Sequence, residues 1–359
     1  IGYRRGTRGI DWASHDPAFE PLIELISMHG CSEASESARP FLHVMGPSDV
    51  EGTIRHGWER GHVFGVTGGT DHHSAHPGSY GHGLLGVWAE SATREAIWNA
   101  FYARRTWAMT GDRIALDVKL SGLWMGAIVP PSADHELTVD VSAGGPIDYV
   151  DVRKNNRLIH RWNPAMELPA QKDWPATVHT KLHFELGWGP RGERVDWRNV
   201  TCGILDGRIL SVEPRFRGRE VVSPLEGEDE EGFFESRVVD RGDRFVTFDT
   251  VTRGNPNNVT NASQGICLEV DMPPEAEVYA EWEGGSVSFP LRALIHGARS
   301  GLTAGLESPA WRWHRAPLPQ EWQFRASLPV ELAEGDWIDV RVRQTNDQWA
   351  WGTPVFCRG

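Results

Sequence analysis

Gly68-Gly69-Thr70-Asp71-His72-His73-Ser74-Ala75-His76 places one carboxylate and several imidazoles just after Val63-Phe64-Gly65-Val66-Thr67, a short apolar run that reads as a strand. Asp and neutral His are ligands that suit zinc, manganese or iron, and the end of a strand is where a β/α fold can aim several of them at one point. On an extended strand, residues two apart share a face, so Asp71 and His73 form the preferred ligand pair and His72 points elsewhere. Nine of the fifteen histidines precede residue 83, so the metal chemistry is expected in the first third of the chain.

The segments around this run alternate in type. Pro21-Leu22-Ile23-Glu24-Leu25-Ile26-Ser27 is an apolar stretch of the kind buried in parallel sheets. Ser48-Asp49-Val50-Glu51 reads as a capping box, with Val50, Ile54 and Trp58 on one helical face and Gly61 placed to end the helix. Leu84 to Trp88 reads as a further strand, and Thr93 to Phe101 as a helix capped by Thr93 or Ser91. Together these give β/α architecture, a parallel sheet or barrel. From about Ile114 the pattern changes to alternation: Ile114, Leu116, Val118, Leu120; Leu137, Val139, Val141; Ile338, Val340, Val342. Turn pairs such as Asn155-Asn156 and Asp206-Gly207 separate such runs, which predicts an antiparallel β-sandwich with a lone helical segment near Leu291 to Arg299. The expected division is 1–113 and 114–359, the second part composed of one or two sub-domains.

Other residues stand as candidates around the cluster. His29 and Glu33, in Met28-His29-Gly30-Cys31-Ser32-Glu33, follow the first strand and reach the same end of the sheet. They complete the coordination shell or act as general base, unless Glu33 merely caps the next turn. Arg5 and Arg8 supply planar forks for an anionic substrate. His72 and His76, with Tyr80 and His82 on the same glycine-rich loop, are candidates for contacting that substrate. Cys31 has no Cys-His signature and reads as a packed thiol. The seventeen tryptophans are read mainly as core, with sugar stacking the alternative.

A formal charge of −13 over 359 residues argues against a nucleic-acid groove. No run approaches the ~18 apolar residues that span a bilayer, so no membrane partner is expected. Four scattered cysteines point to a reducing, cytoplasmic setting. The acidic stretch Glu226 to Glu231 reads as a solvated loop.

The motif at Gly68 to His73 resembles, together with His29-Gly30-Cys31-Ser32-Glu33, Gly86-Val87-Trp88-Ala89-Glu90, Thr93 to Trp98 and Arg104 to Ile114, a bacterial family known as domain of unknown function 3604. That family is a branch of the PHP (polymerase and histidinol phosphatase) superfamily. The hairpin around Trp337 to Val355 is similar to the family's C-terminal strands. The resemblance implies a fold that is α/β plus all-β: the C-terminal part of a distorted (β/α)7 barrel followed by an antiparallel β-sandwich. It also implies two or three divalent metals (Zn, Mn or Fe) and hydrolysis of a phosphate ester or related oxyanion ester. Asp71 and His73 match its Asp-x-His metal motif. The superfamily's opening His-x-His does not occur here, so the remaining ligands are expected from an N-terminal segment of the same gene product or from a second chain. The competing expectation is a non-catalytic carbohydrate- or protein-binding sandwich on a degenerate barrel.

Overall fold

A computed structural model of the chain describes residues 9–41, 48–73, 76–166, 174–218, 236–254 and 261–359. Strands make up 49% of it and helices 10%, and most of the pairing is antiparallel. The expected (β/α)7 barrel is therefore a misreading. One compact unit comprises Ile1–His72, Gly81–Leu168 and Gln320–Gly359, and the other comprises His73–Tyr80 and Pro169–Pro319.

In the first unit a small sheet carries the α/β character. Its strands are β1 (Leu22–Ser27), β2 (Gly30–Cys31) and β3 (Gly65–Gly68), in the order β2-β1-β3. β1 and β3 are parallel, with Leu22 opposite Gly65 and Glu24 opposite Thr67, and the crossover between them contains α1 (Ile54–Glu59). Thr53, not Ser48, caps this helix: its hydroxyl accepts from His56 N at 3.3 Å. Asp49 instead caps a 3-10 turn at Val50–Gly52. Ile54 and Trp58 are buried on one face as expected, whereas Val50 lies outside the helix and is 58% exposed.

The barrel expectation fails at the next strand. β4 (Leu84–Val87) pairs antiparallel with β5 (Thr106–Met109), and the far edge of β5 is taken by the C-terminal strand Trp349–Gly352. These strands continue into an eight-stranded sheet with Trp337–Gln344 and Ile147–Lys154. A short apolar run does not reveal whether its neighbour runs parallel or antiparallel. α2 (Arg94–Tyr102) connects β4 to β5, and Thr93 caps it through a bond from Ala96 N.

The eight-stranded sheet is covered on both faces, and period-two alternation does the sorting. Val150, Val152, Ile338, Val340 and Val342 face a core shared with Leu116, Val118, Leu137 and Val139 of a four-stranded sheet. Trp337, Trp349 and Trp351 lie in a separate core with Leu25, Ile26, Cys31, Ile54, Trp58 and Val66 of the small sheet and α1. The hairpin turn at Asn155-Asn156 joins Ile147–Lys154 to Arg157–Trp162, both asparagines having positive φ (51° and 62°), as a type I′ turn requires.

The second unit is an antiparallel sandwich of two five-stranded sheets. Leu182, Phe184, Ile266 and Leu268 from one sheet meet Val200, Cys202, Val246, Phe248 and Ala280 from the other in a single core. Its helix is Leu291–His296. Trp197, Trp311, Trp313, Trp349 and Trp351 are all buried, in keeping with the core reading of the tryptophans, while Trp188 is half-buried. No helix among the described residues is long and apolar enough to cross a membrane.

Candidate metal centre

The parallel pair β1–β3 extends past its strand ends by two backbone bonds: Gly69 N donates to Ile26 O at 3.0 Å and Met28 N to Thr70 O at 3.2 Å. This lacing brings the turn after β1 beside the loop after β3. The turn is tight because Gly30 adopts φ +130°, where a β-carbon would stand 2.9 Å from Phe41 N. Asp71 lies in the left-handed region at φ 47°, a conformation that Asp tolerates better than most residues. His29 Nε2 consequently lies 3.2 Å from Asp71 Oδ2, the two side chains being 5% and 32% exposed.

His73 follows two residues later. Among the described residues, His29, Asp71 and His73 form the group of potential ligands whose donor atoms all lie within 4.8 Å of one another. Two imidazoles and a carboxylate are the donor set of many three-ligand sites for zinc and related ions, which leave further positions open. With metal–ligand bonds of ~2.0–2.1 Å, donors of a tetrahedral shell stand about 3.3 Å apart. The His29–Asp71 separation fits that spacing.

The remaining candidates are placed otherwise. His72 stacks on His82, ring centroids 5.5 Å apart. His76 is buried and lies against Gly218, both residues belonging to the second unit. Neither His72 nor His76 joins the ligand group. Arg5 and Arg8 lie outside the described residues, as does the acidic stretch from Glu226 to Glu231. Cys31 is fully buried, and burial pushes its thiol up to about 12, so it is a packed thiol and no nucleophile at neutral pH. All four cysteines are buried and none is in a disulfide.

Glu33 departs most from its expected role. It is 2% exposed, and its carboxylate accepts from Arg55 at 2.8 Å, from Arg341 at 3.3 Å, from Trp351 Nε1 at 2.9 Å and from Arg153. Arg153 in turn holds Asp339 with Nη2 at 2.6 Å, and Arg341 holds Asp151 at 3.0 Å. Burial alone would raise the Glu33 pKa, but the charges of Arg153, Arg55 and Arg341 outweigh it and hold the carboxyl down at about 2. Its oxygens are committed to these donors, and so acidic a group is a poor general base at neutral pH. Its position is that of a charge anchor, fastening the segment that bears His29 to the strands Ile147–Lys154 and Trp337–Gln344.

Glu24 was not singled out by any motif, yet its carboxylate lies against Gly69, in the loop that leads to Asp71. A charged residue inside an otherwise apolar strand was the signal available for it.

Residues 70–124 match the sequence model of a family described as "Protein of unknown function (DUF3604)". The match begins at Thr70 and so includes Asp71 and His73. Among curated proteins, the chain is similar to an uncharacterized protein of Chlamydia trachomatis serovar D, at 25% identity over 173 residues. A second uncharacterized protein, from Chlamydia pneumoniae, is 26% identical over 172 residues. Each alignment covers 44% of this chain and 28% of the relative, so the chain spans less than a third of the length of the curated relatives it matches.

Proposed function

We propose that the chain carries a divalent-cation centre on His29, Asp71 and His73 and takes part in metal-dependent hydrolysis of a phosphate ester or a related oxyanion ester. The observation that carries this reading is the convergence of those three donors at the laced ends of β1 and β3. A bound zinc, manganese or iron ion would supply Lewis-acid polarisation of the ester and acidify a coordinated water. His29, being buried, fixes one donor with little side-chain freedom. Asp71 offsets part of the ionic charge. His73 lies on the exposed side and leaves room for a small anionic substrate. Resemblance to the PHP superfamily underlies the choice of a phosphate ester and the expectation of two or three ions. Burial of all four cysteines, with no disulfide among them, supports a reducing compartment.

The test is to strip the protein of metal, reload it separately with Zn²⁺, Mn²⁺ and Fe²⁺, and assay phosphate monoesters, phosphodiesters and sulfate esters. Turnover that appears with one of these ions and disappears in His73→Ala is the expected result. Stoichiometric metal binding with no turnover of any ester would favour a non-catalytic binding module, a reading to which the predominance of β-sandwich lends some support.

A further inference from the structure

The strand Arg208–Arg215 of the second unit runs on into Phe216, Arg217 and Gly218, where the backbone is held by two neighbours. Gln264 accepts from Arg217 N at 2.7 Å and donates to Arg217 O at 3.0 Å. Tyr80 N donates to Phe216 O at 2.8 Å, and Gly218 N donates to Ser79 Oγ at 2.9 Å. The Arg217 guanidinium is thereby kept over the Tyr80 ring, its Cζ 4.7 Å from the centroid, and Arg215 stands 5.7 Å from the same ring.

The charges gathered here do not balance. Arg215 pairs with Glu213 at 3.2 Å, and Glu185 is taken by His314 at 2.8 Å and by Ser263. His183 stacks on His314 with ring centroids 4.2 Å apart. Burial, and then the surrounding cations with Arg217 among them, hold His183 well below the ordinary imidazole range, so it is neutral. Among the described residues no carboxylate pairs with Arg217. Its guanidinium makes one long hydrogen bond, from Nη1 to Tyr80 O at 3.4 Å, and its buried Nε has no acceptor. An uncompensated charge in a partly desolvated place costs free energy, and a buried donor without an acceptor is rare unless an ion or ligand supplies one.

We infer that Arg217, stacked on Tyr80, is a binding site for a tetrahedral oxyanion, a phosphate group above all. The planar fork offers parallel N–H donors to two oxygens of one anion, a match that a lysine does not make. Tyr80 and the Gln264 clasp hold the fork in place before the anion arrives, which lowers the entropic cost of binding. None of the three metal ligands takes part, so this site stands or falls separately from the cation centre.

The test is calorimetric titration of the full chain, kept metal-free with EDTA, with inorganic phosphate and separately with phenyl phosphate. The parent is expected to bind at least one of the two, and Arg217→Gln to weaken that binding by about tenfold or more, as loss of a charged hydrogen-bonding partner does. Arg217→Lys, which keeps the charge and the stacking without the fork, should fold as the parent does and show an intermediate loss. Tighter binding of inorganic phosphate marks a site for the free ion, and tighter binding of phenyl phosphate a site for the phosphoryl group of an ester. Phosphate should also raise the unfolding temperature of the parent and leave that of Arg217→Gln unmoved. A lower unfolding temperature for Arg217→Gln with unchanged phosphate affinity would assign Arg217 to the fold alone and overturn the site. So would a parent that binds neither compound at millimolar concentration.

Discussion

Asp71→Asn should abolish stoichiometric cation binding while the chain stays folded. Asn has nearly the same shape, tolerates the left-handed conformation that Asp71 adopts at φ 47°, and still offers His29 a hydrogen bond across the 3.2 Å gap. What it removes is the negative charge. Losing a group that merely supports a ligand typically costs about 10–100-fold in metal affinity, and loss of the ligand's own charge should exceed that. Titration with Zn²⁺ or Mn²⁺, beside an unfolding curve of the metal-free protein, separates the two effects. Unchanged affinity would remove Asp71 from the centre.

The second large effect concerns stability. Glu33→Gln keeps the side chain's size and an acceptor for Trp351, but it leaves Arg55, Arg153 and Arg341 around a neutral group. Breaking a buried ion pair from one side generally costs about 3–5 kcal/mol, which for a protein of this size lowers the unfolding temperature by roughly ten degrees. The dependence on pH has a definite sign. The folded pKa of Glu33 is depressed from 4.5 to about 2, so its contribution is complete above 4.5 and is lost as pH falls toward 2. Denaturant midpoints of parent and variant should therefore differ most at neutral pH and converge on acidification. A constant difference across that range would show that Glu33 acts through packing alone.

The pair β1–β3, α1 and α2, and the antiparallel strands of both units follow closely from apolar periodicity, because burial on one face imposes that period on each element. Partners across long sequence separations were not legible. Nothing local in Leu84 to Met109 reveals that Trp349 to Gly352 takes the open edge of β5. Charged residues opposite apolar ones usually meet water, as Asp339 and Arg341 against Ile338, Val340 and Val342 would by that rule. Here that side meets Glu33 instead, and the nearby Trp349 and Trp351 were the local sign that it is covered. That Asp71 and His73 lie near His29 was foreshadowed by the crowding of His and Asp residues in this part of the chain.

Equilibrium dialysis of the metal-stripped chain against Zn²⁺, Mn²⁺ and Co²⁺, followed by elemental analysis, decides whether His29, Asp71 and His73 together form a divalent-cation site. With such a site, the parent chain retains at least one of these ions stoichiometrically and Asp71→Asn retains none. Retention that is equal in both, or absent from the parent, would contradict it.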